Sequence, residues 1–193
     1  MKKFFLLIVT TFCSIILLKA QETHFGIKAG ANFSTVDVSN GTDYDTKVGF
    51  HAGGLAHIHV SRHFAIQPEL MYSTQGGKVG DFKLKLNYIN LPVLVQYMIN
   101  DGFRLQTGPQ IGFRTSAKSE LGDVTIDRKS EYKSVDFAWT FGAGYLFPEG
   151  IGIDARYNLG ISDITETENT KAKNNVFQVG LFYQFMHQHS KKK

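Results

Sequence analysis

The feature that most constrains this chain is an alternation of period two that recurs along nearly its whole length. In Val176–Phe185, the positions Phe177, Val179, Leu181, Tyr183 and Phe185 are apolar or aromatic, with Gln178, Gly180 and Gln184 between them. Two is the side-chain repeat of a β-strand. Seven earlier segments repeat it: Phe25–Phe33, Val48–Val60, Phe64–Tyr72, Ile89–Ile99, Phe103–Phe113, Val135–Phe147 and Ile151–Ile161. No residue on the apolar parity of any segment is charged, although 20% of the chain is Asp, Glu, Lys or Arg. A charge at the middle of a bilayer costs roughly 2–4 kcal/mol, so a lipid-facing strand surface has to exclude charge altogether. The last strand of a soluble sandwich is the competing reading, and it supplies no reason for that exclusion.

The connections alternate in length. Ser61–His63, Asn100–Gly102 and Pro148–Gly150 read as tight turns, and residues 34–46, 73–85, 115–134 and 162–175 as long polar loops. This predicts an all-β fold: an eight-stranded, closed, antiparallel up-and-down transmembrane β-barrel with four long outer loops and short periplasmic turns. Aromatics sit where the apolar face would meet headgroups, as in Phe25 with Phe33, Phe103 with Phe113, and Phe137 with Phe147. Eight to ten residues at about 3.3 Å each, tilted some 40°, rise about 20–25 Å, close to the apolar band of such barrels. Pro68, Pro92 and Pro109 each lack a ladder donor, which predicts local bulges there.

The N-terminus has Lys2 and Lys3, then a run without charge from Phe4 to Leu18, and Ala20 before Gln21. Residues 1–20 therefore read as a secretory signal peptide, too short in its apolar run for the roughly 20 residues of a spanning helix. The barrel is expected over 21–185 and a short basic periplasmic tail over 186–193. Without residues 1–20 the chain keeps 18 basic and 17 acidic residues, so the surplus of positive charge belongs to the leader and no nucleic-acid partner is implied. The single cysteine, Cys13, also leaves with the leader, which removes any disulfide or thiol chemistry.

The opposite parity should line the lumen. It carries Lys28, Glu69, Arg104, Arg114, Asp136, Asp154 and Arg156, with His51, His57, His59 and several glutamines. Four cations against three anions suggest a polar network of ion pairs, and eight strands leave room for side chains but not for a wide channel. His57 and His59 stand two apart on one face and could chelate a transition metal, but no inward carboxylate on their strand assists. A hydrogen-bonded lumen is the reading taken, with no metal, cofactor or catalytic residue expected. No histidine lies between His63 and His187, so loop acids such as Asp43, Glu120 and Asp123 find no neighbouring base, which argues against an enzyme. Arg114 and Asp136 end and begin adjacent strands near the outer rim and read as a structural ion pair.

Several stretches resemble the small outer-membrane β-barrel family of Bacteroidetes, the porin-like or PorT-like barrels. They include Gly26–Ser34, Gly49–Lys78, Asn87–Tyr97, Gly108–Gly112, Asp136–Phe147 and Asp154–Ile164, with QPEL, LPVL and ARYNLG the most specific pieces. Asn90 stands where such proteins often have an acid two residues before Pro92, and the tail after Phe185 departs from a chain that ends on its last strand. The resemblance implies an eight-stranded barrel in the cell outer membrane and fixes no single activity. Phe177, Val179, Leu181, Tyr183 and Phe185 resemble the C-terminal signal read by the barrel-assembly machinery during insertion. The expected partners are outer-membrane lipid, that machinery, and an envelope protein bound through 115–134. The expected role is a non-enzymatic structural, adhesion or accessory envelope component without a large pore. The alternative is a conduit for a small apolar solute.

Overall fold

The computed structural model describes residues 23–39, 44–99, 102–122, 124–167 and 170–185. The expected leader (1–20) and tail (186–193) lie outside the described residues. The strands are β1 (Thr23–Val38), β2 (Asp45–His59), β3 (Phe64–Val79), β4 (Phe82–Ile99), β5 (Phe103–Leu121), a short β6 (Val124–Asp127), β7 (Val135–Leu146), β8 (Ile151–Gly160) and β9 (Ala172–Gln184). Each pairs antiparallel with its neighbour, β5 pairs with β7 as well as β6, and β1 pairs with β9 over Gly26–Val38. Eight strands therefore close into a barrel, with β6 attached outside the cycle to β5. Closure satisfies the ladder without a free edge, the condition for crossing lipid with strands.

The two parities separate as period two demands. Phe25, Ile27, Leu70, Val95, Phe141, Ile153, Val179 and Leu181 are all exposed on the outside, while Lys28, Asn32, Glu69, Asp154, Arg156 and Gln178 are buried inside. This inversion of a soluble core is the arrangement that lipid selects, because the solvent outside is as apolar as the side chains. Aromatics pair across strands near the ends of the apolar belt, for example Phe33 with Phe177 at 6.3 Å and Phe64 with Tyr97 at 5.1 Å between ring centres.

Register runs straight through the prolines. The bulges expected at Pro68, Pro92 and Pro109 are not there: pairing lapses for two pairs beside Pro68 and beside Pro92, then resumes unshifted, and Pro109 stays in register opposite Trp139. A missing N–H removes one ladder bond, but the strands on either side hold the spacing, so the chain has no freedom to slip. The register shifts lie between Thr46 and His51 on β2 and at Asn87/Tyr88 on β4, where Thr115 of β5 is the extra residue. Beyond it the parity of β5 reverses, turning Ala117 and Ser119 inward and Lys118 outward.

Strand continues where loops were expected. Residues 73–85 are the paired ends of β3 and β4, joined by a two-residue turn at Gly80 and Asp81, with Gly80 at φ +56°. Residues 115–134 hold the end of β5, the β5–β6 hairpin turning at Gly122 (φ +57°), and one turn of 3-10 helix at Lys129–Glu131. At this end the barrel interior holds an apolar cluster: Val36, Leu84, Leu86, Tyr88, Ala117, Ile164 and Ala172 are buried together, with Val38, Tyr44, Phe82 and Tyr132 packed against them and a buried Asn174–Gln75 hydrogen bond beside them. The molecule thus has a polar lumen within the apolar belt and an oily plug above it.

Candidate functional site

Three zones follow one another along the axis. In the middle, Lys28 on β1, Glu69 on β3 and Asp154 and Arg156 on β8 are all at most 6% exposed. Lys28 Nζ donates to Asp154 and lies 3.8 Å from Glu69, and Arg156 Nη1 donates to Glu69 Oε2 at 2.8 Å. Gln67 Nε2 donates to Glu69 Oε1 at 2.8 Å, Gln106 Nε2 to Asp154 Oδ2 at 3.1 Å, and Arg156 Nε to Gln178 Oε1 at 2.7 Å. Charges removed from water on both sides of a narrow lumen hold only when each is paired and hydrogen-bonded, and these four meet that condition. The network ties β1, β3 and β8 across the lumen and obstructs the axis.

The network also reaches residues that sequence reasoning did not single out. Asn32 Oδ1 accepts from Gln178 Nε2 and His51 Nδ1, both at 2.7 Å, and Asn32 Nδ2 donates to Ser73 Oγ at 2.9 Å. Thr140 and Asn158 extend it on β7 and β8, with Thr140 Oγ1 donating to Asn158 Oδ1 at 2.8 Å. Their one signal in the sequence is polar character on the inward parity.

At the plug end, the expected Arg114–Asp136 pair is replaced by two separate arrangements. Arg114 is half-buried, and its guanidinium donates to the carbonyls of Lys129 (3.0 Å), Tyr132 (2.7 Å) and Lys133 (3.0 Å), while Asp136 Oδ1 accepts from Ser162 Oγ at 2.7 Å. Residues 129–133 curl back over the rim and offer three carbonyls that sequence spacing cannot reveal. Asp163 accepts from the amides of Thr165 and Ala172 and from Lys133 Nζ. Burial opposes its ionisation, but those donors prevail and hold its carboxyl below the usual carboxylate value. Burial, with Tyr44 and Glu131 close by, pushes the Tyr132 hydroxyl well up.

The outward face of the same extension carries a cluster of lysines interleaved with carboxylates. Leu84 and Leu86 point inward, so Lys83 and Lys85 alternate outward, and β-pairing sets Lys78 opposite Lys83 and Lys85 opposite Lys118. Lys85 is partly offset by Glu120 at 2.6 Å. The same lysines also face carboxylates across the ladder, with Asp45 opposite Lys78, Glu120 opposite Lys83 and Asp127 opposite Lys118, so like and unlike charges alternate over this face.

At the short-turn end lie Arg104, His57 and His59. The rings of His57 and His59 meet edge to face at 4.5 Å, and His59 meets His24 at 5.6 Å. No group of three or more metal-ligating side chains with metal geometry occurs among the described residues. Phe177, Val179, Leu181, Tyr183 and Phe185 form the exposed face of β9 and its end.

A closed strand cylinder with an uncharged apolar belt outside and an ion-paired interior defines an integral outer-membrane β-barrel. The chain belongs to the outer membrane protein beta-barrel domain family, whose model matches residues 19–166. Among solved structures it is similar to Ail, the attachment invasion locus protein of Yersinia pestis, at 16% identity over 86% of this chain and 100% of that one, with a TM-score of 0.57. Neisserial surface protein A gives 16% identity over 83% and 97%, with a TM-score of 0.60. Ail has also been solved with the heparin analogue sucrose octasulfate, at 17% identity over 86% and 100%, with a TM-score of 0.54. A comparison with curated proteins finds no match. At these identities the likeness is one of fold.

Proposed function

We propose that this protein is a non-enzymatic outer-membrane platform that presents the β3–β6 extension to anionic partners at the cell surface, in an adhesive or accessory envelope role. The observation that carries this reading is the lysine cluster Lys78, Lys83, Lys85 and Lys118, set in opposed pairs on hairpins whose inner face is packed on the plug. Four lysines against Asp45, Glu120 and Asp127, which stand across from Lys78, Lys83 and Lys118, leave a surplus of one positive charge on a rigid outward surface, which favours an anionic partner. The Ail complex with a heparin analogue is consistent with such a role for a barrel of this shape. The QPEL, LPVL and ARYNLG stretches support placing the chain with PorT-like barrels of Bacteroidetes. The leader over 1–20 supports export, and the apolar face of β9 supports recognition by the barrel-assembly machinery. A conduit for an apolar solute is disfavoured, because the axis carries ion pairs in mid-lumen and a packed plug above them.

The test is binding of heparin to the full-length protein in detergent, with Lys78, Lys83, Lys85 and Lys118 changed to Gln singly and together. Salt-sensitive binding that the fourfold variant loses supports the reading. Binding that is absent, or indifferent to all four substitutions, refutes it.

A further inference from the structure

At the short-turn end a cavity of about 290 Å³ is bordered by His24, His57, His59, Arg104, Met98 and Gln184. Its electrostatics are unbalanced. The neighbouring lumen holds three buried cations, Lys28, Arg104 and Arg156, against two buried carboxylates, Glu69 and Asp154, the third buried carboxylate, Asp136, being at the plug end. Glu69 is held by Arg156, Lys28 and Gln67, and Asp154 accepts from Lys28 and Gln106 through Oδ2 and attracts Arg104 without a hydrogen bond to it. Arg104 is 5% exposed, and its Nε and Nη1 have no hydrogen-bond partner. Its guanidinium lies 5.4 Å from the centre of the Phe182 ring, a contact that attracts a cation but accepts no N–H in the guanidinium plane.

Gln184 Nε2 is a second unpartnered donor at the cavity, and His57 Nδ1, also unpartnered, donates in its Nδ1–H tautomer or when the ring is protonated. No carboxylate lines the cavity among the described residues. A guanidinium beside the histidines repels a metal cation, whereas an anion would use all three sets of donors. Arginine's fork suits an oxyanion with several acceptor oxygens, and donors arriving from β2, β5 and β9 suit a tetrahedral one. The rest of the wall is apolar, including Phe103 and Phe147, which also belong to the exposed belt. The mouth therefore opens at headgroup level.

We infer that this mouth is a binding site for a phosphate-class oxyanion, held by Arg104 with Gln184 and His57, either free in the periplasm or carried by a phospholipid of the inner leaflet. The inference is independent of the outer lysine cluster.

The test uses the full-length protein in dodecyl maltoside and phosphate-free buffer. Inorganic phosphate is titrated by calorimetry, and phospholipid retained from phosphatidylglycerol nanodiscs is counted by native mass spectrometry. The expected result is one saturable site for one of the two probes, weakened at least tenfold by Arg104→Gln and several-fold by Gln184→Leu, with retained phospholipid alone identifying a headgroup. Folding of each variant is checked by its faster migration in unboiled gels. If Arg104→Gln does not fold, Arg104→Lys and Gln184→Leu decide, and weakened binding in either supports the site. Absence of binding to both probes, or binding unchanged in every folded variant, overturns the inference.

Discussion

Leu86→Ala asks whether the plug end of the barrel is a packed structure or a set of solvated loops. Leu86 is wholly buried, between Gln75 of β3 and Ala117 of β5, within the cluster of Leu84, Tyr88 and Ile164. Truncation removes three carbon atoms, worth about 2.4 kcal/mol at about 0.8 kcal/mol per buried methylene. Ladders on both sides hold the wall apart, so the space cannot collapse fully, and the cavity term brings the loss to about 3 kcal/mol. Asn87→Ala, one residue on and facing outward, should cost less than about 0.5 kcal/mol. The assay is hydrogen exchange of the β3–β4 hairpin amides in detergent. Opening that is about 3 kcal/mol easier speeds exchange by about a hundredfold, since 1.4 kcal/mol is about tenfold. Mid-barrel amides such as those of β8 should be unaffected. Equal exchange in Leu86→Ala and Asn87→Ala would refute the packed plug.

Glu69→Ala should destabilise the barrel by about 3–5 kcal/mol, because it strips Arg156 of its buried carboxylate and leaves Lys28 with one; urea unfolding in liposomes measures it. Adding Arg156→Met to Glu69→Ala should recover part of that loss, and a strictly additive double variant would show that the two residues do not act as a pair. Val179→Arg places a charge on the exposed face, paired with Ala31 and Ala155, and should cost about 2–4 kcal/mol in the same assay; a negligible change would mean that this face does not meet lipid. Asp163→Ala should release Thr165 and Ala172 from the rim, seen as faster proteolysis beside them. The Asp163 carboxyl lies below its unfolded value, so its contribution is complete above about pH 4 and is lost as pH falls through the folded value; unchanged cleavage between pH 7 and pH 3 would contradict it.

The loops expected at 73–85 and 115–134 are largely paired strand, and the sequence carries the signal for it. Phe82-Lys83-Leu84-Lys85-Leu86 alternates strictly, and Val79-Gly80-Asp81-Phe82 and Leu121-Gly122-Asp123-Val124 each place Gly-Asp between apolar residues, a hairpin signal. Polarity masked it, since four lysines within 78–118 made strand look like loop. The bulge at Thr115 hid it further, because a single extra residue reverses the parity on which face assignment rests.

Inward residues such as Lys28, Glu69, Asp154 and Arg156 were legible by parity, but their partners were not. Nothing in spacing says that Lys28 meets Asp154, 126 positions away, or that Glu69 meets Arg156 across the lumen. Arg114 and Asp136 show the opposite failure: they are near neighbours on adjacent strands, yet each is taken by backbone or hydroxyl groups of a returning loop.

The sequence by itself determined the strand period, the uncharged apolar face and the even count of barrel strands, because lipid exposure imposes its rule on every second residue separately. Tertiary structure alone decided which inward charges pair, which one is left over at Arg104, and that the outer end closes on its own apolar core. Those outcomes depend on the stagger with which eight strands close. Stagger is a property of the whole cylinder, and no single strand encodes it.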